Sequence, residues 1–140
     1  MSSDISNVDL IKLATEVIQS KQISDCQVGQ VGCALITDKG SIFRGVCLDT
    51  GSGLGFCAER TAIFKAVSEG CRGFQAIAIA SDAQQPTAPC GVCRQVLAEF
   101  CSPDFVVLMS DRDGRYDKKT LGDLLPEAFG SSFLSTGTDL

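Results

Sequence analysis

The 140-residue chain contains no histidine and no tryptophan, and it has only one tyrosine. Its 12 basic residues are outnumbered by 17 acidic ones. Without histidine there is no side chain whose ordinary pKa lies near neutrality, so proton transfer falls to other groups. The shortage of positive charge, a net −5, argues against a protein that grips phosphate backbones, because that needs a basic stripe. The acidic surplus is read as solubility. No segment has the apolar length of a membrane span, and the opening "MSSDISNVDL" lacks the basic and apolar regions of a signal peptide, so a cytoplasmic protein is expected. Repeats, low-complexity tracts and long linkers are also missing. The chain reads as one domain, 1–140, with a loosely ordered tail over about 131–140.

What is present is a hydrophobic fraction of 44%, enough for a real core, and eight cysteines. In the cytosol these are thiols or metal ligands rather than a disulfide framework. Cys33, inside "VGCALI", reads as a small core hydrophobe. Asn7 is placed to cap a helix running to about Lys21, with an apolar stripe at Leu10, Ile11, Ala14, Val17 and Ile18. "VGCALIT" (31–37) and "SIFRGVCL" (41–48) read as strands joined by the turn "DKG". "GSGLG" (51–55) is a flexible loop, followed by a helix from about Ala58 to Glu69 that Gly70 ends. "AIAIAS" (76–81) and "FVVLMS" (105–110) are strands buried on both faces, with a helix over about Gly91–Phe100 between them. Thr120 and Asp123 form a capping box for a short last helix reaching Leu125. The order α-β-β-α-β-α-β-α predicts an α/β three-layer sandwich, one mixed sheet covered by helices on both faces.

The chemistry concentrates in "FCAERTAIF" (56–64) and "APCGVCRQVL" (88–97). Cys90 and Cys93, three apart at a helix start, point to one face, where the helix dipole and free N–H groups favour thiolates. Cys57 precedes another helix start, and both groups lie at strand-to-helix junctions. Three thiolates form a soft zinc set whose fourth position stays open for water. A lone CxxC is weak, since redox pairs and structural zinc sites share it. A structural site needs a fourth protein ligand, and no second CxxC spacing is present. Glu59 tips the balance. Two residues after Cys57, its carboxylate can lie beside the activated water and shuttle the proton that zinc makes labile at a pKa of roughly 7. The plainer reading, an exposed first-turn glutamate favoured by the dipole, holds for Glu59 alone but not for Glu59 beside Cys57 and Pro-Cys-x-x-Cys.

These residues, Cys57-Ala58-Glu59 and Pro89-Cys90-Gly91-Val92-Cys93, resemble the signature of the zinc deaminases. With "AVSEG", "AIAIASD" and "LLPEAFG" they make the chain, from about residue 10 to Gly130, similar to the small all-cysteine cytidine deaminases. The resemblance implies one Zn²⁺ per subunit on Cys57, Cys90 and Cys93. It implies that hydroxide attacks C4 of a cytosine nucleoside and ammonia leaves, with Glu59 moving protons between water, ring N3 and the amine. It also implies that the Ala58 N–H meets the ring carbonyl and that the Ala88 C=O accepts from the 4-amino group. Three thiolates leave zinc at net −1, which Arg60 would offset by donating to their sulfurs. Arg94 is read as a surface cation. Phe129 in "LLPEAFG" matches the aromatic that reaches a neighbouring subunit's site, which implies a homotetramer.

Two stretches depart from the family pattern. Gly29 stands where an aromatic usually lines the pyrimidine site. Cys47 and Asp49 stand at the Asn and Glu that usually hold the ribose hydroxyls, and a thiol replaces a two-handed amide poorly. Deamination of the aminopyrimidine nucleoside antibiotic blasticidin S is therefore the alternative substrate reading. Three other classes compete. Charge and the lack of a basic or aromatic-rich face oppose a nucleic-acid-editing deaminase, Glu59 opposes a zinc-stabilised binding module, and a Cys90–Cys93 redox protein would need neither Cys57 nor Glu59.

Overall fold

The computed structural model describes residues 5–19, 27–49, 52 and 55–130. Five strands form one sheet: β1 (Gln27–Thr37), β2 (Ile42–Asp49), β3 (Phe74–Ser81), β4 (Val106–Ser110) and β5 (Tyr116–Thr120). Their spatial order is β2-β1-β3-β4-β5. Only β3 and β4 run parallel, and the other neighbours are antiparallel. The crossover between the parallel pair is helix α3 (Gly91–Phe100), as a parallel connection requires. The expected mixed sheet with helices on both faces is the fold observed.

Strand periodicity divides the core in two. Cys33, Leu35, Ile77, Ile79 and Val107 face helix α2 (Ala58–Ser68) and α3, meeting Ala62, Ile63, Ala66 and Leu97. Ala34, Ile36, Ala78, Ala80 and Leu108 face the opposite way, onto Leu10, Ile11 and Ala14 of helix α1 (Asn7–Glu16). Small residues dominate where α2 crosses the sheet. A Cβ at Gly45 of β2 would lie 2.7 Å from the Ala58 carbonyl oxygen and 2.8 Å from the Ala62 nitrogen. The bare glycine therefore sets how closely the start of α2 approaches the strand.

Several boundaries shift from expectation. Ser6 rather than Asn7 caps α1, its hydroxyl accepting from the Asp9 N–H at 3.1 Å. The helix gives way to a 3₁₀ turn at Val17–Gln19, and Lys21 lies outside the described residues. Helix α3 matches its expected span, and Gly70 leaves α2 at φ 97°, the left-handed region that glycine tolerates. The Thr120–Asp123 capping box is formed at helix α4 (Leu121–Leu124). β5 was not expected. "YDKKT" is an edge strand, exposed almost throughout, so it carries no apolar alternation for a sequence reading to find. Most of the loop 51–55 and the tail 131–140 lie outside the described residues.

Candidate metal centre

Helices α2 and α3 begin side by side, and each has a cysteine as its N-cap. Cys57 caps α2 at φ −75°, ψ 155°, and Cys90 caps α3 at φ −69°, ψ 169°. Neither sulfur is used in a side-chain capping bond, so both remain available as ligands. Cys93 follows one turn into α3. The Cys57 and Cys90 sulfurs are 3.8 Å apart, Cys90 and Cys93 are 3.5 Å apart, and all three lie within 4.8 Å of one another. A zinc ion holding tetrahedral thiolates at about 2.3 Å sets sulfurs about 3.8 Å apart. The donor set fits zinc in chemistry and in spacing.

Burial is graded across the cluster. Cys93 is buried, Cys57 half-buried and Cys90 exposed, so the open side faces solvent on the Cys90 edge. Partial desolvation works against a Cys90 thiolate, but the Cys93 N–H, the Cys93 and Cys57 thiols and the Val92 N–H outweigh it and lower its pKa. Those N–H groups are the unpaired donors of a helix N-terminus. Burial, and then the negative charge of Glu59, push the Cys93 thiol up. A cation between the sulfurs would reverse that balance, since zinc binds the deprotonated form.

Glu59 is only 4% exposed. Burial raises its pKa, opposed by its own backbone N–H and by Arg60. A carboxyl group moved up from its ordinary range holds its proton to higher pH than an exposed one, which suits a group that must return a proton as well as take it. Arg60 places Nη2 3.5 Å from the Cys57 sulfur, and its guanidinium carbon lies 4.8 Å from the centre of the Phe56 ring. This is the placement expected of a charge that offsets thiolates.

The structure thus brings Cys57, Glu59, Arg60, Cys90 and Cys93 together. Ala58 is buried at the first position of α2, and Ala88 is exposed in the segment leading to Pro89. The Cys47 sulfur accepts from the Val31 N–H at 3.4 Å, at the irregularity in β1–β2 pairing between Val28 and Gly32. Gly29 lies in β1 within that same irregularity, and Asp49 ends β2 with its side chain outside the described atoms. Phe129 is not brought to the centre within its own chain. It is 61% exposed and lines a separate cavity of about 440 Å³ with Cys101, Leu121 and Pro126.

Sequence reading missed two features. Arg94 is no surface cation: its Nε donates to the Pro89 carbonyl at 2.8 Å and its Nη1 to the Leu124 carbonyl at 2.9 Å, tying the ligand loop to α4. The ring of Phe56 under Arg60 also went unread, because Phe56 lies before the Cys57 N-cap in a bridge to β2, where helical spacing gives no signal.

The sequence matches the family described as "Cytidine and deoxycytidylate deaminase zinc-binding region" over residues 5–109. It is 48% identical to the cytidine deaminase of Halalkalibacterium halodurans over 101 residues, covering 71% of this chain and 76% of that one. It is 31% identical to a blasticidin-S deaminase of Bacillus cereus over 129 residues, covering 86% and 89%. The fold superposes on the crystal structure of a cytidine deaminase from Burkholderia pseudomallei with a TM-score of 0.81 at 36% identity, covering 89% of this chain and 100% of that one.

Proposed function

The chain belongs to the cytidine and deoxycytidylate deaminase family, and on that premise we propose that it hydrolyses a cytosine nucleoside to the uracil nucleoside, releasing ammonia. The observation that carries this is the placement of buried Glu59 two residues from one sulfur of a three-cysteine, zinc-spaced cluster. Cys57, Cys90 and Cys93 would hold the ion. Bound there, zinc supplies a Lewis acid that activates water as the nucleophile.

The remaining work belongs to the chain. Converting a C4 amine to a C4 carbonyl requires one proton of water to pass to ring N3, where the uracil product keeps it, and the other to pass to the amine, which leaves as ammonia. One carboxylate acting first as base and then as acid balances that sequence, and Glu59 takes this role. The Ala58 N–H, at the start of α2, has no intrahelical acceptor and is suited to the ring carbonyl oxygen. The Ala88 C=O is the acceptor for the 4-amino group, which tells cytosine from uracil before reaction. Arg60 opposes the net negative charge of three thiolates on a divalent ion.

Sugar recognition is less complete. The Cys47 sulfur is engaged by the Val31 N–H, which supports a loosened ribose site and keeps blasticidin S as the second reading. Seven described cysteines are free thiols, consistent with a reducing, cytoplasmic setting. The outward-facing Phe129 supports a homotetramer in which it reaches a neighbour's site. An ultraviolet-absorbance assay with cytidine, deoxycytidine and blasticidin S tests the reading: turnover of a cytosine nucleoside is expected, and turnover of blasticidin S alone would select the alternative. Light scattering should give a mass near four chains, and a fully active monomer would remove the shared role of Phe129.

A further inference from the structure

Phe56 precedes the first cysteine of the centre and is 43% exposed, an unusual position for a large apolar ring. Its backbone is nonetheless fixed. Leu48 and Phe56 exchange two hydrogen bonds of 2.8 Å, an isolated antiparallel bridge that anchors the start of α2 to β2. Phe64, two turns into α2, packs against the ring at 5.7 Å between centroids with the planes inclined at 55°. The ring is therefore held in place by groups that take no part in the chemistry.

Over that ring lies the guanidinium of Arg60, 4.8 Å from centroid to carbon. One of its nitrogens reaches the Cys57 sulfur at 3.5 Å, while Nε is buried without a hydrogen-bond partner. A guanidinium with an unpartnered buried nitrogen is not fixed by hydrogen bonding alone. The negative face of an aromatic ring supplies the missing restraint, because it attracts the cation without demanding a directed bond.

We infer that Phe56 is a positioning residue for the metal centre, its ring face holding the Arg60 guanidinium against the Cys57 sulfur. The inference rests on reading the cysteine cluster as a zinc site. Phe56 acts through Arg60: losing the ring frees the cation to swing into solvent, and the thiolate loses its neighbouring positive charge. Partners that orient metal ligands commonly change metal affinity by about 10- to 100-fold when removed. The ring, which acts at one remove, should account for roughly 2- to 30-fold.

The test measures zinc affinity of the full-length protein by competition with a chromophoric chelator, and the sulfur-to-metal charge-transfer band of the cobalt-substituted form. Phe56 is replaced by Leu, by Tyr, and, through site-specific incorporation, by phenylalanines carrying one, two or three ring fluorines. The fluorines weaken the negative face while preserving shape, so folding is not at issue. Affinity should fall stepwise with each fluorine, Tyr should match the parent, and Leu should be weakest. The charge-transfer band should move in the same order. In an Arg60→Gln background the whole series should collapse to within about twofold, since the cation it acts on is gone. A flat fluorine series, or an equal loss with Arg60 absent, overturns the inference. A parent protein that binds no zinc would instead overturn the reading of the centre itself, so the two failures are distinct.

Discussion

Replacing Glu59 by glutamine separates the acid–base role from every structural one. The side chain is 4% exposed at the first turn of α2, and glutamine keeps its volume and one acceptor oxygen but cannot take or return a proton. Losing a general acid–base group costs ~10²–10⁴ in rate, or about 3–5 kcal/mol at about 1.36 kcal/mol per decade. The chain has no histidine to substitute, and one carboxylate serves several transfers, so the loss should reach the upper end of that range. Zinc content should be unchanged, because Glu59 is not one of the three sulfur donors. The pH profile provides a second check. Burial raises the Glu59 pKa, and the protonated form cannot accept from water. The acid limb of kcat should therefore lie above the ordinary carboxylate range, with activity lost as pH falls through the raised value. Stability follows the opposite sign. A carboxyl group whose folded pKa is raised contributes stability below its unfolded pKa, and that contribution is lost as pH rises through the folded one. The zinc-free variant should therefore melt no lower than the zinc-free parent above neutrality. Steady-state kinetics, metal analysis and thermal melts cover all three. Turnover within a few-fold of the parent would refute the assignment and reduce Glu59 to a helix-start carboxylate.

Gly45→Ala should destabilise the fold by about 1–3 kcal/mol, the usual cost of overpacking. The added Cβ meets the backbone of α2 at Ala58 and Ala62, so zinc affinity should fall with it, read by denaturant melts and chelator competition. In zinc-stripped protein, alkylation followed by mass spectrometry should mark Cys90 well before Cys101. Helix-start N–H groups lower the Cys90 pKa, whereas burial pushes the Cys101 thiol up to about 12, leaving little thiolate near neutrality. Zinc loading should then protect Cys90. Cys90→Ala should lose the ion and, with it, stability.

The parts of the fold legible in the sequence were those with strong periodicity or firm punctuation. "AIAIAS" and "FVVLMS" read as doubly buried strands because no polar residue interrupts them, and α2 and α3 were bounded by residues that also begin the site. β5 was illegible because an exposed edge strand has no buried face to imprint a pattern. The end of α1 was missed because Val17 and Ile18 continue the apolar stripe after the backbone has tightened into a 3₁₀ turn. In the site, the ligand cysteines and Glu59 were legible through spacing. The tertiary duties of Arg94 and Phe56 were not, since an arginine bonding to a distant carbonyl at Leu124 leaves no local trace.

The most direct test strips the protein of metal and restores zinc in increments while cytidine deamination is followed by absorbance. Activity should be absent at the start, should rise in proportion to added zinc, and should reach its plateau at about one ion per chain. The same titration of Cys90→Ala should stay flat. Full deamination by the stripped protein, or a chain loaded with one zinc that turns over no cytosine nucleoside, would contradict the account.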